Sequence, residues 1–511
     1  MFAKIKRNLR RLLSTNRVLT VIGLLILQVL WVSALVFSLY KKYYYMVAIS
    51  FCLQIVFCLI IICTERNSAY KIGWILLVST IPLFGCFFYL IYGLNISNKK
   101  LTKKIQLAKT QMPTRQTDTA VLEKIKNKSL GVLSFSEYLS KNSYPAFDGT
   151  KIKFFSSGES LFADVLEKIK SAQKYIFIEM FIIEEGKLWS ELLDNIIIKA
   201  KQGVKVKILY DDFACITRLK RYYYKKLTSL HENIECLKFN TVTPFLVKSI
   251  NNRDHRKIVI IDGVGYVGGA NIADEYANIS SRFGYWKDHA VRLTGKAVNG
   301  LIDLFTFMWN AVGKNDFMPE EYYSTESFAS DGIVQPYGAN PFDKSDIAFN
   351  VYLDIINRAN RYLYISTPYL VPDSAIIHAL THAAKRGVDV RILVPSVPDK
   401  KIVYRLTKAN FLPLMSAGVK IYTYTAGFNH AKTVVCDDEI ALCGTPNFDY
   451  VSLFLNFEVG VFMYGCEEIE QITKEMLLLF DQSALVDKTE VKTGFWGRLL
   501  DAFLRTIEML F

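Results

Sequence analysis

Two short polar strings in this chain pair an imidazole with an ammonium. His255-Arg-Lys257 is followed, after four residues, by Asp262, and His430-Ala-Lys432 is followed, after four residues, by Asp437. Each string is H-x-K-x₄-D. The chain has only 6 histidines in 511 residues, so two accidental copies are expected in roughly one such chain in a few thousand. A repeated His/Lys pair implies that the two copies work together. Side chains alternate faces along a strand. His255 and Lys257 therefore project together, as do His430 and Lys432, while Asp262 and Asp437 have the opposite parity. The His/Lys pairs are the predicted reactive groups. Each Asp is expected to end its strand and hold local structure rather than orient an imidazole.

The neighbouring residues suit a phosphate. Gly268-Gly-Ala-Asn271 follows the first string and Gly444-Thr-Pro-Asn447 the second. Glycine permits close backbone approach, and the amides of Asn271 and Asn447 can donate to a non-bridging oxygen; ordinary turns are the competing account. Two lysines and two asparagines around one phosphate would stabilise the charge that develops in phosphoryl transfer. They could stand in for a metal, and no Asp/Glu cluster in the sequence suggests one. Two histidines permit a two-step route in which one attacks phosphorus and the other protonates the leaving oxygen, then activates the incoming hydroxyl. A nucleophilic imidazole must be oriented through its second nitrogen; Asp288 and Glu458 are the candidates, with structural ion pairs as the alternative. Gly263-Val-Gly265-Tyr-Val-Gly268 also matches G-x-G-x-x-G, but a dinucleotide site needs a helix opening at the glycines, and none is evident.

The elements that must carry these groups repeat as well. Ala200-Lys-Gln-Gly-Val-Lys-Val-Lys-Ile-Leu209 parallels Ala384-Lys-Arg-Gly-Val-Asp-Val-Arg-Ile-Leu393, and Lys174-Tyr-Ile-Phe-Ile-Glu-Met-Phe181 parallels Arg361-Tyr-Leu-Tyr-Ile-Ser-Thr-Pro368. Each half reads strand, helix, Gly turn, strand, then the H-x-K strand. This predicts an α/β fold of two halves forming a pseudo-dimer, placed at residues 131–325 and 326–485. Before them lies a membrane segment over residues 1–95, with uncharged runs Val18–Tyr40, Tyr43–Cys63 and Ile72–Leu94, each long enough for about 30 Å of hydrocarbon. Lys4, Lys6, Arg7, Arg10, Arg11 and Arg17 precede the runs; Lys99, Lys100, Lys103, Lys104 and Lys109 follow them. Both basic segments are expected in the cytoplasm, which favours two full spans and a re-entrant third run containing Pro82, Gly85 and Gly93. Residues 96–130 read as a basic linker, either soluble or lying over headgroups. Residues 486–511 read as an amphipathic helix with Phe495, Leu499, Leu500, Phe503, Leu504 and Ile507 on one face, for the core or a membrane surface. The net charge of +14 calls for an anionic partner, and the apolar runs favour lipid over nucleic acid. Nine cysteines without C-x-x-C point to reduced thiols. Oligomeric state is left open.

These motifs resemble the phospholipase D superfamily and, within it, the bacterial cardiolipin synthases. The resemblance rests on Asn252-Arg-Asp-His-Arg-Lys-Ile-Val-Ile-Ile-Asp262, Thr367-Pro-Tyr-Leu-Val-Pro-Asp373, Gly427-Phe-Asn-His430-Ala-Lys432, Leu455-Asn-Phe-Glu458 and the layout of N-terminal apolar runs. It implies two phospholipase D-like domains with the active site at their interface, here behind N-terminal transmembrane helices in a multi-pass cell-membrane protein; from the Lys and Asn sets, no cofactor is expected. The implied reaction transfers a phosphatidyl group between two phosphatidylglycerol molecules, giving cardiolipin and glycerol. The implied catalytic set is His255, Lys257, Asp262, His430, Lys432 and Asp437, with His255 as nucleophile. Two departures stand out. The stretch from Asp262 to the Gly pair is one residue short, which touches the role of Asn271, and Val451-Ser452 stands where the family usually has Arg-Ser. A membrane-bound hydrolase of the same superfamily is the alternative, and a lipid-binding protein without activity is disfavoured by two intact His/Lys pairs.

Overall fold

The computed structural model describes residues 16–41, 44–64, 68–93, 99–113, 115–240, 252–330, 332–343, 345–489, 491 and 494–506. The basic residues at 4–11 and Ile507 lie outside the described residues. The chain divides into a unit of residues 103–241 and 252–492 and a second unit holding residues 1–102 and 493–511.

The larger unit contains the duplication. Its first half has β1 (Thr150–Phe155), β2 (Tyr175–Met180), β3 (Lys205–Asp211), β4 (Ile234–Phe239), β5 (Lys257–Ile261), β6 (Val264–Gly268), β7 (Tyr285–Lys287) and β8 (Ala290–Gly295). Its second half has β9 (Ile333–Ala339), β10 (Tyr362–Ser366), β11 (Leu370–Val371), β12 (Asp389–Pro395), β13 (Lys420–Tyr424), β14 (Gly427–Asn429), β15 (Thr433–Cys436), β16 (Ile440–Gly444), β17 (Phe448–Asp449), β18 (Glu458–Tyr464) and β19 (Ser483–Leu485). The first sheet runs β1-β8-β6-β5-β2-β3-β4, and the second repeats that order as β9-β18-β16-β15-β10-β12-β13, with β19 added at the edge. Strand β6 lies against β16 and β18, and β8 against β16, so the sheets meet face on beside the H-x-K strands β5 and β15.

Local sequence explains the repeat. Helix Lys187–Lys201 buries Leu188, Leu192, Ile196 and Ala200 at four-residue intervals, an apolar stripe of helical period. It stops where Gly203 takes φ +95°; Gly387, at φ +96°, ends the matching helix Ser374–Lys385. Only glycine takes that conformation without strain. The G-x-G-x-x-G string occupies the β5–β6 hairpin, with no helix opening at its glycines. It is therefore not a dinucleotide turn.

The segment read as a linker is built into this unit. Helices Thr119–Lys128 and Leu130–Lys141 bury Val121, Ile125, Val132, Phe135 and Leu139 in the second-half core, each stabilising it by about 1.5–3 kcal/mol. Before them, Lys109 pairs with Asp343 at 3.2 Å. Residues 119–141 thus belong spatially with the second half, although they precede the first in sequence.

In the N-terminal unit, helices Asn16–Tyr40 and Tyr44–Ile62 turn large apolar side chains outward, among them Ile26, Val29, Leu30, Val36, Phe51 and Leu59. Among the described residues, no helix is long and apolar enough to cross a membrane, so the structure does not itself establish the transmembrane spans expected from the sequence. The third run does not form one rod. Helix Ser68–Thr80 spans only about 20 Å, and after Ile81 the short helix Pro82–Phe88 packs back along it. Gly85 makes this possible, because a Cβ there would sit 2.7 Å from the Leu77 carbonyl oxygen. The Tyr70 hydroxyl donates to the Gly93 carbonyl, closing the hairpin, and the Gln28 side chain accepts from the Phe84 amide at 3.0 Å. Helix Phe495–Thr506 lies on Ser68–Thr80 and leaves Phe495, Trp496, Leu499, Leu500 and Phe503 exposed.

Candidate active site

His255 sits just before β5 and His430 between β14 and β15. Both are buried at the seam of the two halves, and each is fixed by the other half. The His255 amide donates to the Phe457 carbonyl at 2.9 Å, and its Nδ1 lies 2.9 Å from Glu458. The His430 amide donates to the Lys287 carbonyl at 2.7 Å, and its Nδ1 lies 2.8 Å from Asp288. The pairing is crosswise: β7 of the first half runs parallel to β14 of the second, and Asp254 bridges to Phe457 in the same sense. Neither half holds a complete His–carboxylate pair alone. A carboxylate on Nδ1 favours the tautomer that leaves Nε2 as the basic atom.

The lysines lie beside the histidines. Lys257 Nζ donates to the His255 carbonyl at 2.6 Å, and Lys432 does the same to His430. Burial pushes Lys257 down to about 8, opposed by Glu458 and Asp288. It pushes Lys432 down to about 7, opposed by Asp288. The carboxyls move the other way. Burial raises Glu458 to about 8 and Asp288 to about 7, each partly offset by a lysine. Both imidazoles are driven well below 6.5, first by burial and then by the lysines, which favours their neutral, nucleophilic form. The cluster is thus short of negative charge at its centre, and an anion seated there would hold both ammoniums charged.

The two aspartates of the motifs stand apart from this cluster. Asp262 and Asp437 occupy left-handed turns at φ 44° and 56°. The Asp262 carboxylate accepts from the backbone amides of Gln173, Lys174 and Tyr175 at 2.5–3.2 Å. That of Asp437 accepts from Asn360, Arg361 and Tyr362 at 2.7–2.9 Å. They fasten the far ends of the H-x-K strands to the neighbouring strand and touch neither histidine. That placement is at odds with the catalytic membership implied by the resemblance and in line with their strand parity.

The asparagines also have protein partners. Asn271 accepts from the Ile182 amide at 3.0 Å, and Asn447 donates to the Ser452 hydroxyl at 3.1 Å. Val451, in the position of the usual Arg, is half-buried. The turns matter for the carboxylates as much as for a phosphate. A Cβ on Gly269 would lie 2.1 Å from Asp288 Oδ1, so glycine makes room for that carboxylate. Its counterpart Thr445 instead donates its hydroxyl to Glu458.

Several partners were not evident from the sequence. Beneath His255, Arg256 pairs with Glu179 at 2.9 Å and approaches Asp254 at 3.4 Å, all fully buried. Next to them Arg253 pairs with Asp211 at 3.2 Å. Phe181 meets the His255 ring edge-on at 4.7 Å. Arg256 is the variable residue of H-x-K, so only its improbable burial marks it. Among the described residues, no group of three or more His, Cys, Asp or Glu is placed to hold a metal.

Twin sheets meeting at two crosswise His–Lys–carboxylate sets define a phospholipase D-type enzyme. A family model described as "Cardiolipin synthase, PLD-like domain" matches residues 165–281 and 352–479, and one described as "Phospholipase_D-nuclease N-terminal" matches 54–93. A cardiolipin synthase of Alkalihalophilus pseudofirmus is 33% identical over 91% of this chain and 93% of its own. An uncharacterized Streptococcus mutans protein is 38% identical over 84% of this chain and 94% of its own. The crystal structure of Haemophilus influenzae phosphatidylserine synthase superposes with a TM-score of 0.57 at 18% identity, covering 70% of this chain and 95% of that one, and shares the fold. The chain belongs to the cardiolipin synthase family. Membership makes it a phosphatidyl-transferring enzyme of phospholipid metabolism.

Proposed function

We propose that the enzyme moves a phosphatidyl group from one phosphatidylglycerol to the terminal hydroxyl of another, giving cardiolipin and glycerol. The crosswise seating of the two imidazoles, each with Nδ1 held by the opposite half, is the observation that carries this reading. Such an arrangement suits one phosphorus attacked from one side and departed from the other. In the first step His255 Nε2 bonds to phosphorus while the glycerol oxygen leaves with the Nε2 proton of His430, whose imidazolium form the charge of the bound phosphodiester favours over the neutral ring of the empty site. In the second, His430 takes the proton of the acceptor hydroxyl, its oxygen bonds to the same phosphorus, and the P–N bond breaks with its electron pair returning to His255. Lys257 and Lys432 stabilise the non-bridging oxygens; Glu458 and Asp288 orient the imidazoles and stabilise each imidazolium in turn. Asn271 and Asn447 shape the phosphate site through their turns, and Asp262 and Asp437 support it by holding the strands.

The N-terminal unit embeds in the cell membrane as a multi-pass anchor, with the third run re-entrant and the catalytic halves cytoplasmic. Outward apolar faces, the closed Tyr70–Gly93 hairpin and basic residues at both ends of the segment support this. The test is the product list of the purified protein in phosphatidylglycerol vesicles. Cardiolipin and glycerol are expected; phosphatidic acid alone would establish the hydrolase instead.

A further inference from the structure

Lys400 precedes helix Lys401–Ala409 in the connection after β12. Its side chain is exposed, and its ammonium lies 4.9 Å from the centre of the Tyr369 ring. Among the described residues it forms no ion pair. Tyr369 belongs to the second half but packs against the core of the first, and its hydroxyl donates to Asp399 at 2.6 Å. Lys400 is therefore held over the seam on which the two histidines sit. Its charge is felt by both imidazoles and by Asp449. It is a cation at the mouth of the site, outside the buried Lys257/Lys432 pair.

The two steps make different demands on charge. In the first, one anionic phosphodiester meets two buried lysines. In the second, those lysines are already committed to the phosphatidyl group, and the acceptor lipid brings a second phosphodiester, separated by three carbons from its attacking hydroxyl. Like charges repel at that range. Water, the competing acceptor, carries no charge and needs no cation. We propose that Lys400 binds the phosphate of the acceptor phosphatidylglycerol and so directs the second step to lipid rather than water. The step is otherwise as derived: the acceptor oxygen bonds to phosphorus, the P–N bond breaks onto the imidazole, and the hydroxyl proton passes to His430.

This inference rests on the transferase reading, and one experiment separates their failures. Wild-type, K400A and K400R enzymes are given phosphatidylglycerol vesicles, and the ratio of cardiolipin to phosphatidic acid is measured in a single turnover. That ratio reports how one intermediate is partitioned and does not depend on how much enzyme is folded. K400A should lower it about fivefold, as expected for an exposed charge pair, and K400R should keep it near wild type. Raising the salt should lower the wild-type ratio and leave that of K400A nearly flat. An unchanged ratio in K400A, or K400R as low as K400A, would overturn the role of Lys400. Phosphatidic acid alone from the wild type would overturn the transferase reading and this inference with it.

Discussion

The two halves of the catalytic unit share their inner contacts and differ in what supports them. In both, an imidazole Nδ1 meets a carboxylate of the opposite half, and a lysine meets the carbonyl of its own histidine. One layer further out they diverge. Under His255 lies the ionic set Glu179, Arg256 and Asp254. At the matching positions of the second half stand Ser366, Ala431 and Asn429, where Ser366 and Asn429 exchange hydrogen bonds at 2.9 and 3.2 Å. Thr445 holds Glu458, whereas Gly269 merely clears Asp288. Duplication has thus preserved the His–Lys–carboxylate contacts and let the scaffolding drift. Two histidines with equal contacts and unequal support are suited to unequal roles.

The largest expected effect breaks the symmetry outright. In His255→Ala no covalent phosphatidyl-enzyme should form. In His430→Ala it should form slowly, because loss of a general acid costs about 10²–10⁴-fold. Trapping labelled lipid by acid-free denaturation and mapping the modified residue tests this. Label on His430 in the wild type would exchange the roles.

The carboxylates come next. Glu458→Gln and Asp288→Asn keep shape but cannot become the carboxylate that stabilises each imidazolium as it forms, and should each lower kcat by up to about 10⁴-fold. Because the pairing is crosswise, Glu458→Gln, a change in the second half, should slow formation of the adduct on His255 of the first. Rapid-quench kinetics of adduct formation checks this; a variant slowed only in the second step would contradict the pairing.

The outer layers can be compared by stability. Removing Arg256 as Met leaves Glu179 and Asp254 buried without their cation and should cost about 3–5 kcal/mol. Ser366→Ala removes a neutral hydrogen bond and should cost about 1 kcal/mol. Installing the second-half set in the first, as Glu179→Ser with Asp254→Asn and Arg256→Ala, should recover much of the Arg256→Met loss. Denaturant unfolding of the three proteins measures these differences, and equal losses for Arg256→Met and Ser366→Ala would mean that the ionic set is not a coupled unit.

How much of this was legible in the sequence follows from the range of each interaction. The alternation of His255, Lys257 and Asp262 along one strand is local, so it carries the distinction between the buried His/Lys pairs and the aspartates that bond backbone amides at the strand ends. The repeat around Gly203 and Gly387 gave the two halves, because a helix-ending glycine is a local requirement. The crosswise partners, His255 with Glu458 and His430 with Asp288, lie 203 and 142 residues apart in sequence, and only the meeting of two sheets joins them. The sequence named both carboxylates but could not assign them. The same holds for residues 119–141: their apolar spacing was hidden among lysines, and their place in the second-half core depends on a return across the first half. The apolar runs were plain, yet the fold-back at Ile81-Pro82 needed Gly85 to be seen against Leu77.

The smallest effect concerns the protons of the two lysines. Burial leaves Lys432 at about 7 and Lys257 at about 8, while Asp288 and Glu458 are raised to about 7 and about 8. As pH rises from 7 to 9 the lysines lose positive charge and the carboxyls gain negative charge. Both changes act against a bound anion. A soluble dialkyl phosphate, which stays a monoanion throughout, should therefore bind more weakly as pH rises, by up to about tenfold per pH unit for each proton taken up on binding. Titration calorimetry in two buffers of different ionisation enthalpy measures both the affinity and the uptake. The halves can then be separated. With Lys257→Met the remaining cation is Lys432, and weakening should begin at a lower pH than with Lys432→Met, which leaves Lys257. Flat affinity between pH 7 and 9 would show that both ammoniums stay charged regardless of the ligand, and the same onset in both variants would show that the two halves present the phosphate with equivalent cations.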